Sequence, residues 1–350
     1  LYKYNQALDY SKKYVKSAAN IFGKENEEYA FALLSLASNY SWNGYYAESL
    51  KSNFEALELL ENIQGESGED YLVCLNNIAY VYGTMQDNEN ALNYYLKVLK
   101  IRNDKKEKDF DYLFSVISNV ASSYGDLGND SIAIKYYYKA IQIYDENPDW
   151  FSPTDIAFLY ADLGTSYNLL GSFLIAKDYY QKSSEIYKEI LPYNHPEIAR
   201  NINGEAHLSW NIKDFSSAID KWEECINLTI SYGNIDSTFY FDVLSSLGSV
   251  YLRMDSLELA YDSYSQRFDF LNSKHKLYEK KLNQSLYENN HYLLSLINYN
   301  LFLIYMMDDE KYESIQSNYN RHIELKGSLL KNNNFISSEI YKSKDTIVIK

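Results

Sequence analysis

Gly164-Thr165-Ser166-Tyr167-Asn168-Leu169-Leu170-Gly171-Ser172-Phe173-Leu174-Ile175-Ala176-Lys177-Asp178-Tyr179-Tyr180 decides how the chain is read. A small residue, Gly164, is followed three later by an aromatic; a glycine turn intervenes; then a second small residue, Ala176, is followed four later by Tyr180. Outward from this stretch the second small position recurs as Ala7, Ser49, Ala91, Ala133, Ala176, Ala218 and Ala260, in steps of 42, 42, 42, 43, 42 and 42 residues. Its aromatic partner recurs as Tyr95, Tyr137, Trp222 and Tyr264, and seven residues after the small position stand Ala56, Val98, Ala140, Ser183 and Cys225. Positions i, i+4 and i+7 fall on one face of a helix. The first small position recurs with its aromatic as Ala37 and Tyr40, Ala79 and Tyr82, Ala121 and Tyr124, and Gly248 and Tyr251, which marks a second helix with its own stripe.

Helices approach to about 8 Å only where the side chains at the crossing are nearly absent, so the Ala and Gly positions mark contacts and the aromatics fill their flanks. Between the two stripes lie short turns, Asn43-Gly44, Leu127-Gly128-Asn129-Asp130 and Leu170-Gly171-Ser172, with glycine available to stop a helix. Each unit is therefore predicted to be a helical hairpin, and hairpins that cannot hide their apolar stripes alone must stack.

The positions Gly164, Tyr167, Gly171, Ala176 and Tyr180 resemble those of the tetratricopeptide family. The common unit of that family is about 34 residues, whereas this repeat is 42. Longer units of the kinesin-light-chain type are a nearer likeness, which Leu75-Asn76-Asn77-Ile78-Ala79 shares. The resemblance implies an all-α, right-handed superhelical solenoid of antiparallel helix pairs. On that reading residues 1–22 are the second helix of an incomplete repeat, residues 23–271 are six helix pairs, residues 272–330 are atypical capping helices, and residues 331–350 are a linker or the start of a further domain. The fifth unit has Glu205 and Ser209 where Leu and Tyr are usual, so a local irregularity is expected there. The orphan first helix and the start Leu-Tyr-Lys, with neither an initiator Met nor a basic-then-apolar leader, are read as signs of an excised or processed N-terminus.

Composition agrees with helices. Only 4 Pro and 13 Gly punctuate 350 residues, too few for a many-stranded β protein. A net charge of -15 repels phosphate backbones, so nucleic acid is excluded as a partner. The most apolar run, Leu293 to Met307, is broken by Ser295, Asn298 and Asn300, short of the ~20 apolar residues of a membrane span. No span is expected, and a cytoplasmic location is favoured. Cys74 and Cys225 have no second ligand at metal spacing and read as buried small residues; the 38 tyrosines read as packing rather than a cofactor box, and no cofactor is implied.

After the Ala260 helix the rhythm changes: Phe268-Asp269-Phe270-Leu271 leads into an amphipathic stretch from Tyr278 to Tyr305 and a shorter one from Tyr312 to Leu330. Tyr319-Asn320-Arg321-His322-Ile323-Glu324-Leu325-Lys326-Gly327-Ser328-Leu329-Leu330 resembles the segment that closes the helical arm of bacterial proteins carrying a CHAT domain, a caspase-like peptidase fold. In that family the catalytic His and Cys follow in the downstream domain, and only 20 residues remain here after Leu330. The resemblance thus implies architecture and role alone: a sensing, regulatory or scaffolding arm attached to an effector. The arm of a sensor kinase or of a transcription regulator remains the alternative.

Nothing in the chain reads as an active site. His195, His207, His275, His291 and His322 are scattered over separate units, and no HExxH, GxSxG or Gly-rich phosphate loop occurs. No catalytic or metal-binding residue is assigned, and a stand-alone enzyme is the least favoured reading. Helical geometry instead places a concave binding face on the first helix of each pair. Its predicted lining is Asn76, Tyr80, Thr84, Ser118, Ser122, Asp126, Asp162, Thr165, Asn168, Asn203, His207, Trp210, Asp242, Ser249 and Arg253. Asn and Ser would hold a peptide backbone, Tyr80 and Trp210 would anchor side chains, and the aspartates at 126, 162 and 242 favour a basic ligand. The bland alternative is a set of solvated side chains. His207 beside Trp210 reads as a groove residue rather than a metal ligand, because no second ligand is near. The expected partner is a protein or peptide; the sequence does not specify an oligomeric state.

Overall fold

A computed structural model describes residues 2–104, 109–232, 237–256, 258–260 and 262–266. The stretches read above as capping helices and linker, 272–350, lie outside the described residues. Twelve α-helices run in tandem among the described residues: α1 Tyr2–Phe22, α2 Glu27–Trp42, α3 Tyr46–Gln64, α4 Glu69–Thr84, α5 Asn88–Asp104, α6 Phe110–Asp126, α7 Asp130–Glu146, α8 Pro153–Leu169, α9 Phe173–Ile190, α10 Pro196–Asn211, α11 Phe215–Tyr232 and α12 Ser237–Arg253. A single 3-10 turn, Pro148–Trp150, precedes α8. No strand occurs among the described residues. The fold is the all-α solenoid of antiparallel helix pairs.

Helix starts are fixed by local chemistry. Ser152 accepts from the Thr154 amide while Asp155 reaches back to the Ser152 amide at 2.8 Å, a capping box with Pro153 as the first helical residue. Asn26 caps α2 by accepting from Glu28 N at 2.9 Å. Helix stops recur with the sequence period. A left-handed residue follows each of α2, α4, α6, α8, α10 and α12: Gly44, Gln86, Gly128, Gly171, Lys213 and Asp255, with φ between 57° and 77°. One residue later, the amides of Tyr45, Asp87, Asn129, Ser172, Asp214 and Ser256 each donate to the carbonyl five residues back, at 2.8–2.9 Å. These are the bonds of a Schellman stop. Three of the six turns keep it without glycine.

Packing follows the small-residue stripes. Each hairpin's two helices pack together, α2 on α3 through α10 on α11, and each second helix packs on the next first helix. Ser49, Ala133, Ala176 and Ala218 are fully buried, as are Ala56, Val98, Ala140, Ser183 and Cys225 seven residues after the anchors. The aromatics between them, Tyr95, Tyr137, Tyr180, Trp222 and Tyr264, are buried as well. Tyr180 shows why small residues are needed around it. A Cβ on Gly164 of α8 would stand 2.8 Å from its ring, and one on Gly204 of α10 only 2.5 Å away, so the phenol is clamped between two bare backbones.

The irregularity expected in the fifth unit does not appear in the backbone: α10 is unbroken and its turn matches the others. The change is in side chains. In the second, third and fourth pairs two tyrosines stack at the hairpin end: Tyr82 on Tyr94 at 5.7 Å, Tyr124 on Tyr136 at 5.5 Å and Tyr167 on Tyr179 at 5.7 Å. In the fifth pair Ser209 and Lys221 take those registers. There Ser209 bonds Ser217 at 3.2 Å and Lys221 pairs with Glu205, so polar contacts replace the stack and the helix geometry is kept.

Candidate functional site

First helices of successive pairs also touch one another, α2 with α4, α6 with α8, α8 with α10 and α10 with α12, whereas no two second helices make a comparable contact among the described residues. The array is therefore tighter on the side of its first helices, and their outward residues line the inner surface of the curve.

The register one past the small position, Tyr80, Ser122, Thr165, His207 and Ser249, meets the polar tips of the buried aromatics. Thr165 shares a hydrogen bond with the Tyr180 hydroxyl at 3.0 Å, and Ser249 with that of Tyr264 at 3.3 Å. His207 lies edge-on to Trp222 at 5.2 Å, and the Trp222 indole N–H donates to Asn203 Oδ1 at 2.9 Å. Tyr137 donates its phenol to Asp162 Oδ2 at 3.1 Å. Each ring fills the core while its polar end emerges at the inner surface, where a buried phenol or indole finds the partner it requires. Burial also depresses the pKa of His207, keeping the imidazole neutral.

Asp126 at the end of α6 and Asp162 on α8 meet on this surface. Withdrawal from water raises the pKa of both carboxyls, and that of Asp162 is pushed up to about 7. At Asp162 the Tyr137 hydrogen bond opposes the rise, while the charges of Asp126 and Glu197 add to it. Asp126 retains solvent access and Asp162 is half-buried. Helix walls on either side thin the water around both without excluding it. Neither carboxylate has a basic partner among the described residues.

The other predicted lining residues divide. Tyr80 and Thr84 are exposed, and Asn76, Ser118, Ser122 and Trp210 are half-buried. Thr84 and Ser118 turn their hydroxyls back onto the carbonyls of Tyr80 and Phe114, at 2.9 and 2.8 Å. Trp210 packs on Phe215 and Trp222 and carries the Arg253 guanidinium over its outer face at 4.9 Å. Asp242 is exposed on α12, with its carbonyl accepting from Ser246 at 2.9 Å. Asn168 corrects the expectation. It is buried, and its Oδ1 accepts from Asn211 Nδ2 at 3.0 Å, a tie between neighbouring hairpin ends rather than a groove contact. Four residues after Gly164, it shares the packing stripe; Trp210, four after Ala206, is half committed to the core for the same reason. Sequence reasoning missed Tyr137, Tyr180, Trp222 and Tyr264 as contributors to this surface, although their i+4 spacing was the available signal.

No group of three or more His, Cys, Asp or Glu able to hold a metal occurs among the described residues. Cys74 and Cys225 donate to the carbonyls of Asn53 and Ala199 at 3.0 and 3.2 Å, and burial pushes both thiols up, away from nucleophilic thiolate. His195 serves as the cap of α10, its Nδ1 accepting from Glu197 N at 3.3 Å. No described helix is long and apolar enough to cross a membrane.

Comparison with known proteins assigns the repeats. Tetratricopeptide-repeat models match residues 28–104, 115–147 and 159–197, three separate stretches between α2 and the start of α10. Among solved structures, the apo form of RapI shares 14% identity and a TM-score of 0.57 over 88% of this chain and 99% of its own. The Rap protein complexed with Competence and Sporulation Factor shares 15% identity at a TM-score of 0.55, over 87% of this chain and 76% of its own. BtubC (BKLC) from P. vanneervenii shares 18% identity at 0.51, over 66% and 91%. No curated protein matches the chain by sequence.

Proposed function

On the premise that this chain is a tetratricopeptide solenoid, we propose that it is a protein-interaction scaffold whose inner surface takes a peptide segment bearing a basic side chain. The observation that carries this is the Asp126–Asp162 pair. Two carboxylates on adjacent first helices, partly desolvated and without a basic partner among the described residues, gain most from a lysine or arginine placed between them. Groups facing Asp162 from every side are Asp126 on α6, Tyr137 on α7, Tyr180 and Tyr187 on α9, and Glu197 on α10, none of them cationic. Arg253 on the Trp210 face offers a flat cationic platform further along the same surface. A Rap relative of the same fold, complexed with Competence and Sporulation Factor, gives the reading a precedent in architecture.

Because a cationic ligand needs ionised Asp162, its affinity rises with pH through about 7. The test is calorimetric titration of the full chain with a pool of nonapeptides carrying a fixed central Lys, against the same pool with norleucine. Binding of the Lys pool is expected to be about tenfold tighter at pH 8 than at pH 6, and to lose that dependence in Asp162→Asn. Equal binding of the two pools refutes the basic-ligand reading.

The likeness of Tyr319 to Leu330 to the arm of CHAT-domain proteins supports a cytoplasmic regulatory arm that passes ligand binding to a caspase-like effector. The coding sequence following Lys350 tests this: a His/Cys peptidase domain agrees with it, and a transmembrane helix with a kinase domain replaces it by a sensor-kinase arm.

A further inference from the structure

We infer that the tip of the fourth and fifth helix pairs is a self-association surface whose occupant is a second copy of this chain. The α8–α9 turn exposes Leu169, Leu170, Leu174 and Ile175, and the α10–α11 turn beside it exposes Ile212, each between 45% and 86% accessible. The Asn211–Asn168 hydrogen bond at 3.0 Å holds the two turns side by side, so the five side chains form one patch. The repeat does not require all of them: Leu170 and Ile212 share a register that is also apolar at Met85, Leu127 and Met254, whereas Leu174 lies outside it. Leu174, at 86% exposure the most accessible of the five, stands where other pairs carry Ala47, Glu89, Ser131, Ser216 and Glu258, and those pairs close their turns with the same hydrogen bonds. An apolar patch that the fold uses only in part, on a chain of net charge -15, calls for a cover.

Charge and area point to a second copy. The rim of each turn carries both signs, Lys177 beside the Asp178–Lys182 ion pair at 2.7 Å and Lys213 beside Asp214, all exposed. Across a two-fold axis such a rim is its own complement, Lys facing Asp and leucine facing leucine. The rest of the acidic surface favours neither an anionic membrane nor an acidic protein. The five side chains expose roughly 500 Å² per copy, so a symmetric contact buries about 1,000 Å² in total, the lower limit of a specific interface and the range of weak, reversible dimers. Leu169 stands one repeat on in the register of Asp126, but the patch contains neither carboxylate, so self-association and peptide binding are tested by separate variants.

Sedimentation equilibrium of the full chain from ~1 to ~200 µM tests it in the concentration range of weak interfaces. The expected result is a reversible monomer–dimer equilibrium that strengthens as NaCl is raised from about 20 to about 300 mM, because salt screens the repulsion of two acidic molecules. Leu174→Glu with Ile212→Glu is expected to be monomeric throughout. Leu174→Ser, which installs the residue the third and fifth pairs already carry, is expected to weaken association about tenfold with unchanged helical circular dichroism. A monomer at every concentration overturns the inference, whether the patch is then covered by another part of this chain or by a different protein. A dimer that survives both variants overturns it too.

Discussion

Replacing Gly204 by alanine will destabilise the array, although alanine is the better helix former. The new Cβ would stand 2.5 Å from Tyr180 Cε1, 2.8 Å from Cζ and 2.9 Å from the hydroxyl oxygen. Carbon atoms rest at about 3.5–4.0 Å, so the ring must retreat by about 1 Å. It has nowhere to go. Gly164 presses on the ring from α8, where a Cβ would already stand 2.8 Å away, and the hydroxyl is tied to Thr165. Overpacking of this kind costs about 1–3 kcal/mol, and the gain in helix propensity of Ala over Gly returns about 1 kcal/mol. A ring with no room to retreat puts the cost in the upper part of that range, about 2–3 kcal/mol, so the net loss is about 1–2 kcal/mol, read as a lower urea midpoint by circular dichroism at 222 nm. Two controls isolate the cause. Gly125→Ala meets nothing closer than Ala133 Cβ and Asp130 Oδ1 at 4.0 Å, so it should stabilise by about 0.5–1 kcal/mol. In a Tyr180→Leu background, which removes the clashing atoms, Gly204→Ala should change sign and stabilise by about 1 kcal/mol. A Gly204→Ala chain as stable as the parent, with Tyr180 in place, would refute the clamp.

Three further outcomes follow from the same geometry. Lys213 holds a left-handed φ of 66°, so Lys213→Gly should raise the urea midpoint by the equivalent of about 0.5–1 kcal/mol, while Gly171→Ala at φ 75° should lower it. Asp162 titrates in the folded chain at about 7, above its unfolded value near 3.9, so the stability it contributes is present below pH ~4 and is lost as pH rises through 7. Asp162→Asn should flatten that slope in thermal melts, and a Lys-bearing peptide should restore stability at pH 8. Cys74 and Cys225 should resist a disulfide thiol reagent in the native chain and react only on unfolding, since both are buried with their pKa raised.

The period was legible because close helix crossings demand small residues at fixed places, and Ala91, Ala133, Ala176 and Ala218 supply them in clear register. The turns were only half legible. Gly44, Gly128 and Gly171 announce themselves, but Gln86, Lys213 and Asp255 take the same left-handed position because packing of the two helices fixes the turn whatever residue fills it. The inner surface was less readable still. Asn168 is polar and looked like lining, yet its place four residues after Gly164 puts it on the packing stripe. The meeting of Tyr137 with Asp162, and of Trp222 with Asn203, depends on how far a ring from one helix reaches past the next, which spacing along one helix does not encode.

Selection of binders from a random peptide display library against the full chain tests the central claim most directly. The account predicts selected peptides enriched in lysine or arginine at one shared position, whose binding to Asp126→Asn with Asp162→Asn falls at least tenfold. Selected peptides without a common cation, or with undiminished affinity for the double variant, would contradict it.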